Sequence, residues 1–198
     1  MRSAPLYDRR FEHDACGVGF IAARDLGASY RLTRLAVECL IRLEHRGAKA
    51  ADGTGDGAGI LTQVPYRLLA RELSVRNLSV PEPGRLGVMG VFFHRERAEA
   101  DRQLVAKAID GEGLRYLGFR PVPNHPAVLS RRAKESLPRI EQVLIEAPDE
   151  MSEDEFERRL FLARKVAERG LQPGTTIISS SSRTVVYKGL LAPSNLAD

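Results

Sequence analysis

A chain of 198 residues, 43% hydrophobic and 28% charged, is long and apolar enough to bury a core of its own as a globular domain. Its net charge of +4 comes from 30 basic and 26 acidic residues that interleave, as in Arg95-Glu96-Arg97 and Glu157-Arg158-Arg159, and only 6% of residues are aromatic. That argues against nucleic-acid binding, which concentrates basic residues on one face and offers stacking platforms. No apolar run reaches the length of a membrane span, and Met1–Arg10 has no apolar core of a secretory signal, so no membrane partner and a cytoplasmic location are expected.

Residues 1–15 read as an extended polar leader, with Arg2, Arg9 and Arg10 offset by Asp8, Glu12 and Asp14. A small-residue apolar strand is predicted over 16–23, opening on Cys16-Gly17. A lone cysteine on a strand is commonly just a small hydrophobe. If the leader is removed, however, Cys16 carries a thiol beside a free α-amine. Such an amine ionises at about 7.7–8.0 and can act as the base that activates the adjacent sulfur. The other cysteine, Cys39, falls in the pattern Leu35, Ala36, Cys39, Leu40, Leu43 and is expected to be buried and inert. One cysteine pair is no secreted disulfide framework.

A helix is predicted over 30–45, with Ser29 as N-cap and Gly47 as stop. A loop with glycines at 53, 55, 57 and 59 follows, then a strand at 60–64 and a short helix from Pro65 to about Leu73. The loop lacks the Gly-Lys-Ser/Thr of a phosphate cradle and leads into a strand, the reverse of the phosphate-binding order. Residues 74–84 form a connection. Strands are predicted at 86–93, 116–122 and 139–146, a helix at 95–110, and a turn around Asn124-His125-Pro126. A helix at 152–169 opens on the capping box Ser152/Glu155 and ends at Gly170. Two strands, 175–181 and 184–187, are joined by a tight turn. The four histidines at 13, 45, 94 and 125 have no metal-ligand spacing, so no metal site is expected.

Three segments in order are distinctive together: Ala15-Cys16-Gly17-Val18-Gly19-Phe20, then Leu43-Glu44-His45-Arg46-Gly47-Ala48, then Asp52 through Leu61. With Tyr187-Lys188-Gly189-Leu190-Leu191, they resemble the N-terminal glutaminase domain of the glutamate synthase large subunit, a class II, N-terminal-nucleophile glutamine amidotransferase. The resemblance implies an α+β fold, the four-layer α/β/β/α sandwich of N-terminal-nucleophile hydrolases, with only its N-terminal part present. It divides the chain into a leader, 1–15, and a partial amidotransferase domain, 16–198. It implies that Cys16 is the catalytic nucleophile and that Arg46, of the His-Arg-Gly motif, assists it, while His45 is structural. The substrate it implies is glutamine, hydrolysed to glutamate and ammonia through a thioester. The ammonia then serves glutamate synthesis from 2-oxoglutarate on the remaining domains or subunits of the enzyme. No cofactor is expected on this segment. FMN and an iron–sulfur cluster are implied for the full enzyme.

The family's Asn-Gly oxyanion donor is not found: Asn77, Asn124 and Asn195 are not followed by glycine. The family's carboxylate-gripping arginine segment is also missing. The expectation is therefore an incomplete site with little glutaminase activity in isolation. A stand-alone amidohydrolase of the same fold, or an inactive regulatory subunit, are the competing readings.

Overall fold

A computed structural model describes residues 16–24 and 29–196. The chain runs α1 (Tyr30–Arg42), β1 (Ala58–Gln63), α2 (Tyr66–Val75), β2 (Leu86–Phe93), α3 (Ala98–Gly111), β3 (Arg115–Pro121), α4 (Arg131–Glu135), β4 (Arg139–Glu146), α5 (Glu153–Gly170), β5 (Thr176–Ser181) and β6 (Thr184–Gly189). The strands form two antiparallel sheets, one ordered β3-β4-β2-β5 and one made of β1 and β6.

Strand β2 explains the layering. Its continuous apolar run Leu-Gly-Val-Met-Gly-Val-Phe-Phe is the pattern of a strand covered on both faces. Met89, Val91 and Phe93 point one way, with Val143 and Ile145 of β4, into a core closed by Val105 and Ile109 of α3 and Phe156, Leu160 and Ala163 of α5. Leu86 and Val88 point the other way, with Leu144, toward Leu69 and Leu73 of α2 and Val185 of β6. Helix α1 then touches β1. The order is α3 and α5, the four-stranded sheet, then α2 and the two-stranded sheet, with α1 against β1, an α+β arrangement that fits the layering of an N-terminal-nucleophile fold.

Two charged groups inside these layers, Glu141 and Arg120, are ion-paired, which offsets the cost of burying them. Glu141, fully buried on β4, accepts from Arg102 of α3 and from Arg139, and the Arg102 guanidinium lies 5.2 Å from the Phe119 ring centroid. On the opposite face of the sheet Arg120 is forked onto Glu72 of α2 and also donates to Gln142. The Arg120 hydrogen bonds hold the Glu72 carboxyl below its usual range. A depressed carboxyl stabilises the fold above its unfolded value near 4.5, and that contribution is lost as pH falls through the folded value. The stability gap between wild type and Arg120→Met should therefore hold from pH 7 down to about 4.5 and narrow as pH falls further, read by denaturant unfolding. A gap independent of pH would mean that the ion pair contributes nothing.

Several local expectations are corrected. Residues 16–23 are in no strand: they have no ladder partner among the described residues, and Val18 and Phe20 are 88% and 93% exposed. Apolar composition alone does not make a strand without an edge to pair with. Cys39 is half-buried rather than buried, and no residue of α1 is fully buried, because periodicity names the face to be covered and not its cover. Strands β5 and β6 are consecutive but not paired: β5 joins β2 and β6 joins β1. Glu157 of α5 holds the crossing between them by accepting from the Ser181 and Ser182 hydroxyls and the Ser182 amide. The segment after Asn124 contains a 3₁₀ turn and the short α4. Ser152 caps α5 by accepting from the Glu155 amide, but the Glu155 carboxylate turns to Arg158 and Arg159. The leader, 1–15, lies outside the described residues.

Candidate active site

Ser29 starts α1 by accepting from the Arg31 amide, and a 3₁₀ turn, Glu44–Arg46, finishes the helix. His45 Nδ1 donates to the Arg42 carbonyl 3.0 Å away, at the end of α1. The turn delivers Arg46 beside the Cys16-Gly17 segment. A methyl group on Gly17 would sit 3.2 Å from the β-carbons of Arg46 and Leu43. Glycine is what lets the backbone next to Cys16 pack this closely.

The glycine-rich loop completes the enclosure. Residues 48–56 double back on themselves: Ala50 donates to Thr54 O at 2.8 Å, Lys49 bridges Gly55, and Asp56 donates to Ala48 O at 3.1 Å. Thr54 turns the tip, donating its amide and hydroxyl to Asp52 Oδ1 at 3.0 and 2.6 Å. These hydrogen bonds, the hydroxyl's above all, hold the Asp52 carboxyl below its usual range. The Thr54 hydroxyl also meets that of Ser130, the N-cap of α4. Gly53 and Gly57 have φ of +80° and +129°, which side chains disfavour. The loop runs into β1 and not into a helix N-terminus.

Gly55 has a different constraint. An added methyl would lie 2.5 Å from Leu191 O and 2.7 Å from Ala192 N, both main-chain atoms that cannot rotate away. At Gly53 there is nothing within 4 Å, so only backbone strain opposes substitution. Gly55→Ala should cost about 2–3 kcal/mol of stability and loosen the loop, more than the roughly 1 kcal/mol of Gly53→Ala. Equal melting temperatures for the two variants would contradict the close approach at Gly55.

Together these pieces form a cleft of about 230 Å³ with Cys16, Arg46, Glu44, Lys49 and Asp56 among its lining. Both residues expected to be catalytic, Cys16 and Arg46, therefore line one cleft, and the Cys16 thiol is exposed. Glu44 and Lys49 form an ion pair at its side, and Asp56 crosses the floor of the loop; motif reading gave these three no part. The asparagines are elsewhere. Asn124 donates to Val122 O, while Asn195 accepts from Ala192 N and lines a second, apolar cavity of about 690 Å³ that contains neither Cys16 nor Arg46. Among the described residues no group of three or more His, Cys, Asp or Glu could hold a metal ion, and no helix is long and apolar enough to cross a membrane.

The chain is 42% identical over 91% of its length to "Ferredoxin-dependent glutamate synthase 2" of Synechocystis sp., and 39% over 95% to "Glutamate synthase [NADPH] large chain" of Bacillus subtilis. It is 36% identical over 96% to "Glutamate synthase [NADH]" of Saccharomyces cerevisiae. It spans 12%, 13% and 10% of these three relatives. The family model "Glutamine amidotransferases class-II" matches residues 16–198, beginning on the cleft cysteine itself. A matched segment that covers the whole layered core and its cleft shows the membership: this chain belongs to the class-II glutamine amidotransferases.

Proposed function

We propose that this domain is the glutaminase portion of a glutamate synthase and that Cys16 is its nucleophile. The observation that carries the reading is the exposed Cys16 thiol in a cleft shared with Arg46, at the first residue of the family match. Removal of residues 1–15 makes Cys16 the N-terminus. Its α-amine then takes the thiol proton as sulfur attacks the side-chain amide carbon of glutamine. Collapse of the tetrahedral intermediate breaks the carbon–nitrogen bond, and the same amine returns the proton to the leaving nitrogen, which departs as ammonia. Water, deprotonated in turn by the amine, cleaves the thioester to glutamate and restores the thiol. Arg46 lines the same cleft, where its guanidinium serves to fix the loop around the N-terminal residue by bidentate hydrogen bonding.

Ammonia made here serves glutamate synthesis from 2-oxoglutarate in the cytoplasm, on the remaining domains or subunits, where the FMN and iron–sulfur centres of the full enzyme act. The oxyanion needs a donor pair that none of Asn77, Asn124 and Asn195 supplies within the cleft. The separated segment should accordingly bind glutamine weakly and turn it over slowly.

The test is intact mass and N-terminal sequencing of the full-length protein after exposure to a diazoketone analogue of glutamine. The expected result is a chain beginning at Cys16 with one adduct on its sulfur. A chain that retains Met1–Ala15 and still releases ammonia from glutamine would overturn the N-terminal mechanism.

A further inference from the structure

The segment that brings Arg46 to Cys16 is tied across the loop by main-chain bonds and by one side chain, Asp56. Ala48 is the point of attachment. Its carbonyl accepts from the Asp56 amide at 3.1 Å, and its own amide donates to Asp56 Oδ2 at 2.9 Å. One residue thus takes both main-chain polar groups of Ala48. The second oxygen, Oδ1, lies over Gly47, where an added methyl would sit 3.1 Å from it. Gly47 and Ala48 are therefore gripped from the far side of the loop, and the next residue back is Arg46. The stem of Arg46 in turn flanks Gly17, with Cβ and Cγ 3.2 and 3.5 Å from the position of an added methyl there. Asp56, Gly47, Arg46, Gly17 and Cys16 all line the same cleft.

We propose that Asp56 is the positioning residue of this site: its carboxylate fixes the Gly47–Ala48 peptide and thereby holds Arg46 beside Cys16. This rests on the glutaminase reading above. The role belongs to the oxygen as a hydrogen-bond acceptor and not to the negative charge. An accepted amide hydrogen bond is what fixes the loop, and it needs the carboxylate oxygen rather than its charge. Aspartate suits the task because its short, stiff side chain accepts a local amide without leaving the turn.

The test is a double-variant cycle in the full-length protein, read as kcat/KM for glutamine hydrolysis. Asp56→Ala should lower kcat/KM by about 10–100-fold, since a displacement of about 1 Å in a positioned group costs on that order. Asp56→Asn, which keeps the oxygen and removes the charge, should recover most of that loss. Because Asp56 acts through Arg46, the pair Asp56→Ala with Arg46→Ala should be no slower than Arg46→Ala alone. Additive losses, or an Asp56→Asn variant as slow as Asp56→Ala, would overturn the positioning role. Should Asp56→Ala fail to fold, Gly47→Ala, whose methyl presses on Oδ1, takes its place in the same cycle and is decided by the same additivity. Wild-type protein that forms no adduct at Cys16 with the diazoketone analogue would instead remove the glutaminase reading, and the positioning role with it.

Discussion

Cys16→Ala in the full-length protein should abolish glutamine hydrolysis, with a fall in kcat of more than about 10⁴-fold, while glutamine binding persists. Loss of a covalent nucleophile is among the largest single-residue effects in acyl transfer, because the groups that support it have nothing left to act on. The structure leaves little else for the task. The other cysteine, Cys39, sits half-buried on α1 with its sulfur against Gly19 and is absent from the cleft. His45 is committed to the end of α1 through Nδ1. Arg46→Ala should slow the reaction without abolishing it, because Arg46 shares the cleft with Cys16 but does not form the bond to substrate. The measurement is ammonia release, with glutamine binding followed separately by calorimetry. If Cys16→Ala retained more than a few per cent of wild-type turnover, the thioester route would be excluded.

Phe156→Ala should give the largest loss of stability of any single truncation in α5, about 3–5 kcal/mol. Phe156 is fully buried, and with Leu160 it fills the space above Gly87 of β2, where a methyl would come within 2.9 Å of each side chain. Removing the ring opens a cavity between rigid layers that cannot close over it. Phe161, five residues along the same helix, is 53% exposed and carries Lys165 5.8 Å from its ring centroid. Phe161→Ala should therefore cost less than about 1 kcal/mol. Denaturant midpoints at constant slope give the comparison. Similar costs for the two would mean that α5 is not the outer wall of the main core.

Much of this architecture is legible from residue pattern. Strand β2 declares itself, because a chain covered on both faces must be apolar at every position, and Leu86–Phe93 is. Helix α5 declares its start through Ser152, whose hydroxyl is the acceptor for the Glu155 amide. The Cys16 and Arg46 motifs were legible too, as residue types at a distinctive order of separations, and both residues reach the same cleft. Other features carried no such signal. Strand β6 reads like β5, since alternation tells which side chains share a face and says nothing about which edge the strand will join. Asp56 reads as one more polar residue in a glycine loop. Its bond to Ala48, eight residues earlier, depends on how the loop closes and not on any periodicity.

The order of residues by itself determined which strand had to be covered on both faces and where the capped helices begin, because these follow from local chemistry and spacing, whereas the reading of Cys16 as nucleophile came from the family resemblance. Only the tertiary structure decided that β5 and β6 part into separate sheets, that residues 16–23 have no strand partner among the described residues while Gly17 and Gly19 approach α1, and that the Asp56 carboxylate reaches back to Ala48. The physical reason is common to all three. Edge choice, cover and loop closure are contests between distant surfaces for the same apolar area and the same main-chain donors, and such contests are settled only when the whole chain has packed.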